Sequence, residues 1–277
     1  VPFYNAEPHL KRCINVLLEQ DFNNSFDVIM VDDASTDNSQ NIVKMEDSPL
    51  LKLHSLPSNT GPSGARNTGL KVARGEYVFF LDADDTISTC ALKTLYSHAK
   101  ENDFDLVYSD QAKIENSQNQ SENIFVHPAD KIYSKSDITE EIKKRIYDPL
   151  FIEGLVGITG RLIKRSIITQ NNLSFEERLR YLEDEAFAWD ILAHCKKAKY
   201  IRKQLYSYYV QPNVSSAVSE GFNRGFSVSN FKLVKGHIQN CFKHRGLSTQ
   251  ETEKLADQAF IYFIIGALIS YSRSIIL

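Results

Sequence analysis

The stretch Val78-Phe79-Phe80-Leu81-Asp82-Ala83-Asp84-Asp85 sets four apolar residues directly against three carboxylates. A short apolar run of this kind reads as a buried strand. The acids then stand at the strand's carboxyl end, where open α/β sheets bind their ligands. Carboxylates this close repel one another unless something positive joins them. A hard divalent cation held through oxygen, with substrate phosphates completing its shell, answers that need. An acidic turn without a metal is the plainer alternative, since Asp is a common turn residue.

Outward from that strand, the first 110 residues alternate helix and strand signals. Glu7 to Gln20 reads as a helix, with Leu10, Ile14, Leu17 and Leu18 on one side. Asp27 to Val31 reads as a strand ending in Asp32-Asp33, and Asp37 can cap a short helix through Met45. Leu51 to Leu56 is a strand. Gly61 to Gly64 is a turn that opens a helix, and Gly75 stops that helix. Strand Glu76–Leu81, helix Cys90–Lys100 and strand Phe104–Tyr108 follow. The alternation predicts a mostly parallel, Rossmann-like sheet flanked by helices. Beyond it, Gln111 to Asn123 reads as a solvated loop or hairpin tip, Ser136–Ile146 and Glu183–His194 as helices, the second amphipathic, and Lys199–Val210 as a strand. The stretch from about Asn223 reads as two helices broken near Gly246-Leu247.

A chain of 277 residues with 42% hydrophobic content is long enough for one large domain, or one domain with an appendage. The net charge of −3 gives no nucleic-acid footprint. Cys13, Cys90, Cys195 and Cys241 form no C-x-x-C pair, so free thiols in a reducing compartment are expected. Asn23-Asn24-Ser25 matches a glycosylation sequon but carries no weight. No signal-peptide pattern is present. Val1-Pro2-Phe3-Tyr4-Asn5 reads as the end of a strand and the loop after it, so a first strand cut short is expected, and the C-terminal end is expected to be cut as well. Residues 259–272 carry no charge. That run is shorter than the ~18 residues of a spanning helix and reads as a core helix or a surface-lying one.

Four patterns occur in order: Pro2-Phe3-Tyr4-Asn5-Ala6-Glu7, Val31-Asp32-Asp33-Ala34-Ser35-Thr36-Asp37, Asn59-Thr60-Gly61-Pro62-Ser63-Gly64-Ala65-Arg66-Asn67-Thr68-Gly69, and Asp82-Ala83-Asp84-Asp85. In a doubly wound sheet they would line one crevice. Together they resemble the family 2 glycosyltransferases of the GT-A fold, which carry P-x-Y-N-x-E, V-D-D-x-S-x-D, G-x-x-x-A-R-N-x-G and D-x-D-D. The resemblance is strong over residues 1–110 and continues at Leu182-Glu183-Asp184-Glu185-Ala186-Phe187, similar to the family's E-D-x-x-F segment.

That resemblance implies a site. Pro2, Tyr4, Glu7 and Asp33 would belong to the nucleotide pocket, with Asp33 on the N3–H of a uracil and Tyr4 flanking the base. Arg66, at a Gly-rich helix start that favours anions, would add its guanidinium to the diphosphate, or else pair with a strand-end aspartate. Asp84 would bind Mg²⁺ or Mn²⁺, and Asp82 the ribose or the metal through water; the ion would offset charge on the leaving diphosphate. Asp85 would bind sugar hydroxyls or cap the next helix. Asp184 would be the base for the acceptor hydroxyl, with Glu183 next in line and neighbouring acids raising the pKa. Three acids at a helix start also simply suit the helix dipole. Two features depart from or extend the pattern. Many relatives carry a Trp and a basic residue before the E-D segment, where this chain has Gly157-Ile158-Thr159-Gly160-Arg161-Leu162. The segment Tyr206 to Ser216 resembles a family segment that either closes over the diphosphate, with Ser215 or Ser216 donating to it, or is a surface loop. His127 and His194 have no evident partner.

The function implied is a metal-dependent inverting glycosyltransferase of bacterial surface-polysaccharide type. It would move a sugar from a nucleotide-diphosphate sugar, a UDP-sugar first, to a hydroxyl of a glycan, lipid-linked or polymer acceptor, turning an α-linked donor into a β-linked product. It would work in the cytoplasm or at the inner face of the membrane, with peripheral membrane association and no nucleic acid. Residues 1–110 would form the nucleotide-sugar half, 111–215 the acceptor half and 216–277 a helical segment. One rival is a haloacid-dehalogenase-type phosphotransferase with Asp82 as nucleophile, since Asp82-Ala83-Asp84-Asp85-Thr86 also fits D-x-D-x-T. The other is a non-catalytic module that binds nucleotide sugars.

Overall fold

The computed structural model describes residues 1–115, 120–123, 128–147, 157–179, 181–210 and 228–258. Its first layer is a three-stranded parallel sheet of β1 (Pro2–Phe3), β2 (Val28–Asp32) and β3 (Leu51–Ser55), with β2 in the middle. The connections between these strands are helices α1 (Glu7–Leu18) and α2 (Ser39–Met45). Pro8 sits in the first turn of α1, where its missing N–H costs nothing. Leu10, Cys13, Ile14 and Leu17 bury the spacing that the sequence shows. Helix α3 (Gly61–Val72) then leads to β4 (Tyr77–Phe79) and on to the acid turn and β5 (Thr86–Ile87).

Helix α4 (Ala91–Glu101), β6 (Leu106–Glu115), β7 (Gln120–Asn123), β8 (Lys131–Tyr133), α5 (Lys135–Tyr147), β9 (Arg161–Lys164), α6 (Arg165–Gln170), α7 (Glu183–His194), β10 (Ala198–Val210) and α8 (Val228–His244) complete the named elements. The second sheet runs β4-β9-β6-β10-β5, with β7 on β6 and β8 on β10. Among its named strands in the described residues, β6 pairs β10 in parallel and the other pairings are antiparallel. Parallel pairing therefore characterises the first sheet and the centre of the second. The stretch expected as loop or hairpin tip is a hairpin of β6 and β7, and β6 runs unbroken through residues 110 and 111.

Both faces of the second sheet are covered, because alternate residues point opposite ways. Leu106, Tyr108, Ile163 and Tyr200 join a core with Phe175, Phe187, Trp189 and Phe242. Val107, Leu162 and Ile201 join a second core with Leu10, Ile14, Met30 and Leu95. Helix α7 is buried on nearly every side, with Ala186, Phe187, Ala188, Trp189, Ile191, Leu192 and Ala193 all inside. This corrects the amphipathic reading; a helix apolar all round is a core helix. Between the two sheets lies a groove of about 590 Å³, lined in part by Val1, Val28, Ile29, Tyr77, Phe79 and Leu81. All four cysteines are free, with Cys13, Cys195 and Cys241 buried. Among the described residues no helix is long and apolar enough to cross a membrane. The run 259–272 lies outside them.

Candidate active site

The first two sequence patterns hold each other. Asn5 takes a left-handed backbone (φ 48°), and its Oδ1 accepts the Thr36 N–H at 2.8 Å while its own N–H reaches Ser35 Oγ at 3.0 Å. The Ala6 N–H donates to Ser39 Oγ (2.8 Å), the Glu7 N–H to Asp37 Oδ2 (3.1 Å), and Glu7 Oε2 accepts the Asn38 N–H (3.1 Å). The open N–H groups at the start of α1 are thus satisfied across the turn, while Asp37 Oδ1 accepts the Ser39 N–H (3.0 Å) and caps α2 as the sequence predicts. Asp32, buried, accepts from the Ser35 N–H and from Gln40 Nε2. Glu7 and Asp32 are occupied by this interlock. Pro2 lies in β1 opposite Val31, and Tyr4 stands exposed at the end of that strand.

Asp33 ties the second pattern to the third. Its Oδ1 accepts the Thr60 N–H (2.7 Å) and Oγ1–H (2.9 Å), and its Oδ2 accepts the Gly61 N–H (2.8 Å). The glycine-rich turn is shaped accordingly. Gly61 has φ +78°, and a Cβ on Gly64 would lie 2.3 Å from Thr60 Oγ1. From this turn α3 aims Arg66 inward. Arg66 Nη2 donates to Asp82 Oδ1 at 2.9 Å and Nη1 to Glu183 Oε1 at 2.7 Å. Burial opposes the charge on Arg66, but Asp82, Glu183 and Asp184 outweigh it and hold the guanidinium firmly protonated. Each terminal nitrogen thus gives one N–H to a carboxylate and keeps a second. Next to it, Asn67 accepts the Phe175 N–H and donates to Phe175 O and Glu177 Oε1.

In the acid turn the three aspartates have separate situations. Asp82 is about one-third exposed and carries Arg66 on one oxygen. Asp84 receives no hydrogen bond on its carboxylate from any other described residue. Burial, and then the charge of Asp82, push its pKa up. Asp85 is buried: its Oδ2 accepts the Tyr206 hydroxyl and its Oδ1 the Tyr209 N–H (3.0 Å). Burial and Asp82 push Asp85 up to about 8. The backbone carbonyl of Asp84 accepts from Arg12 Nη2, and the Arg12 guanidinium lies 3.7 Å from the centre of the Tyr209 ring. The Asp84 carboxylate and the second oxygen of Asp82 are hard oxygen donors that accept no hydrogen bond from another described side chain, which is the chemistry Mg²⁺ or Mn²⁺ takes. Among the described residues no group of three or more ligating side chains converges, so diphosphate and water would complete the shell.

Leu182 enters α7 in a left-handed conformation (φ 69°), and the next three residues are acids. Asp184 Oδ1 accepts the Glu185 N–H at 2.8 Å, and Glu185 Oε1 accepts Trp189 Nε1–H at 3.0 Å. Burial and the Asp184 charge push Glu183 up to about 7, against the pull of Arg66. Burial raises Asp184 too, with Arg66 opposing and Glu185 adding to it.

The structure thus brings Arg66, Asp82, Glu183 and Asp184 together, with Asp84 two residues past Asp82 and Asp33 at the turn that opens the helix of Arg66. Ser215, Ser216 and His127 lie outside the described residues. His194 packs edge-on against His244. Arg12 is placed here by the structure and no sequence pattern singles it out; Asn67 and Tyr209 lie within patterns the sequence shows, but their own contacts are visible only in the structure. In the departing stretch, Arg161 is buried and its Nη1 donates to Thr159 O at 2.7 Å. The left-handed Gly160 (φ +69°) packs against Gln111 and Tyr206.

Residues 1–153 match the family described as glycosyl transferase family 2. The uncharacterized glycosyltransferase EpsJ of Bacillus subtilis (strain 168) is 32% identical over 219 residues, covering 77% of this chain and 60% of that protein. The poly(ribitol-phosphate) β-N-acetylglucosaminyltransferase TarP of Staphylococcus aureus (strain N315) is 31% identical, covering 77% and 62%. This chain thus spans about three-fifths of the length of these relatives. The crystal structure of S. aureus TarS 1–349 in complex with UDP-GlcNAc superposes with a TM-score of 0.70 at 23% identity, over 92% of this chain and 68% of that one.

Proposed function

Because the chain belongs to glycosyl transferase family 2 and has the GT-A fold, we propose that it is an inverting transferase moving a sugar from a UDP-sugar to a hydroxyl of a polymeric glycan acceptor. One observation supports this most directly: the Arg66 guanidinium joins Asp82 of the acid turn to Glu183 of the acid helix. The donor's leaving group and the acceptor's hydroxyl need two differently employed carboxylate groups in one crevice, and this bridge sets them side by side. The polymer class of acceptor is carried over from TarP, whose name states poly(ribitol-phosphate). The phosphotransferase alternative is set aside by the family and the fold.

In this reading Asp184 Oδ2, the oxygen not bonded to the Glu185 N–H, accepts the acceptor's proton as its oxygen attacks the anomeric carbon. Burial and Glu185 make Asp184 a stronger base than an exposed aspartate. Arg66 aligns the two acidic centres, and the second N–H of each terminal nitrogen is free to reach the diphosphate. Asp84 and Asp82 would hold Mg²⁺ or Mn²⁺, which supplies positive charge at the leaving diphosphate. Asp33 holds the glycine-rich turn and has one lone-pair direction on Oδ2 left for a uracil N3–H. Tyr4 and Pro2 form the base end.

Calorimetric titration with UDP and GDP, with and without Mn²⁺, tests the donor site. UDP binding that needs the metal and disappears in Asp84→Ala is expected. Asp184→Asn is expected to keep that binding and lose roughly 10²–10⁴-fold in transfer rate. UDP binding with no turnover of any UDP-sugar would leave the inert binding module as the correct reading.

A further inference from the structure

Four large apolar side chains stand exposed among the described residues, and Tyr208 is one of them at 39%. The other three are Tyr4, Met45 and Ile132. Tyr208 is the one whose surroundings are the acid turn. After burial, the charges of Asp85, Asp84 and Asp82 are what raise its phenol pKa, so the ring stands within electrostatic reach of all three. Tyr206, two residues earlier on β10, shares its face of the strand, and Tyr206 is buried with its hydroxyl on Asp85. Past that anchor the same face emerges from the core, and Tyr208 is its first residue in the open.

The stem that carries Tyr208 is fixed on both sides. Tyr206 is tied to Asp85 by its hydroxyl, and Tyr209 by its backbone N–H. The Tyr209 ring lies under Arg12, which also holds the Asp84 carbonyl. Ser207, between the tyrosines, pairs with Thr86 of β5. A half-exposed ring on a rigid stem is otherwise a cost, because apolar surface stays in water. The Tyr208 hydroxyl makes no hydrogen bond among the described residues, so no polar contact accounts for the placement.

We propose that Tyr208 is a specificity-determining side chain that packs its ring against the hexose of the donor. This rests on the proposed UDP-sugar reading and adds the part of the substrate that the carboxylates do not recognise. The acid turn addresses the diphosphate through a cation, and the hexose is bonded to that diphosphate. It therefore lies next to the metal carboxylates, where Tyr208 is. A pyranose presents a face of C–H groups that matches an aromatic surface, and tyrosine supplies a large, amphipathic contact with little rotamer entropy to lose. Pre-organisation by Asp85 makes that contact less costly still.

The test compares UDP with UDP-glucose and UDP-N-acetylglucosamine by calorimetry on the 277-residue chain with Mn²⁺, for the unmutated protein, Tyr208→Ala and Tyr208→Phe. In Tyr208→Ala the affinity for the better-bound UDP-sugar should fall about 3- to 10-fold, with UDP itself changed less than about twofold. Tyr208→Phe keeps the ring and should stay near the unmutated value for both. Equal loss for UDP and UDP-sugar would show a disturbed metal turn and overturn the proposal. So would unchanged donor affinities with a raised KM for the acceptor glycan, which would put the ring on the other sugar. If the unmutated chain binds no UDP, the parent reading itself falls and this proposal with it; that result appears before any mutation is made.

Discussion

Asp184 and Glu183 are adjacent in sequence and differ in employment. Glu183 is committed to Arg66, while Asp184 keeps one oxygen clear of hydrogen bonds from Glu185. Both pKa values are raised, Glu183 to about 7, by burial before any other cause. A base works only when ionised, so kcat/KM should fall as pH drops through the raised values, closer to neutrality than an ordinary carboxylate would place it. Glu185→Gln removes a neighbouring negative charge that raises Asp184, leaves an acceptor for the Trp189 Nε1–H, and lowers the pKa of Asp184. A pH–rate profile of that variant should show the acid limb moved to lower pH. The types of these residues were legible in the sequence, because three acids at a helix start are visible there. Their division of labour was not. It is set by Arg66, which is 117 positions away from Glu183, and no local pattern reports a contact of that span.

At the scale of elements, the turns were readable and the short pairings were not. The turn before α3 announces itself through Gly61, Pro62 and Gly64, and the structure gives the reason for Gly64. A Cβ there would meet Thr60 Oγ1 at 2.3 Å, and that hydroxyl is bound to Asp33. Gly64→Ala should therefore displace Thr60 from Asp33, costing about 1–3 kcal/mol of stability and weakening UDP binding. Denaturant unfolding and calorimetry on the same variant measure both. By contrast, β9 and α6 run together as Arg161 to Gln170 without a turn residue between them. Nothing local marks where strand becomes helix. The strand exists because Arg161–Lys164 fit between β4 and β6, partners distant in sequence. The three-residue β8 escaped for the same reason.

Across the molecule, Arg66 joins the two halves of the chain by a buried ion-pair bridge. It lies on α3, reaches Asp82 after β4 and Glu183 on α7, and is 7% exposed. Asn67 fastens the loop around Phe175 from the same helix. Removing one partner of a buried ion pair leaves the other charge without compensation. Arg66→Ala should cost about 3–5 kcal/mol in urea unfolding at pH 8. The loss should shrink at lower pH, because Glu183 then takes a proton and no longer needs a cation. A loss independent of pH would mean that Glu183 is not the group left exposed. That joint has a further consequence. Lent alone to another protein, the first length of chain would keep Arg66 with one carboxylate, and the second would leave Glu183 without its cation. The two lengths are therefore transplantable only together.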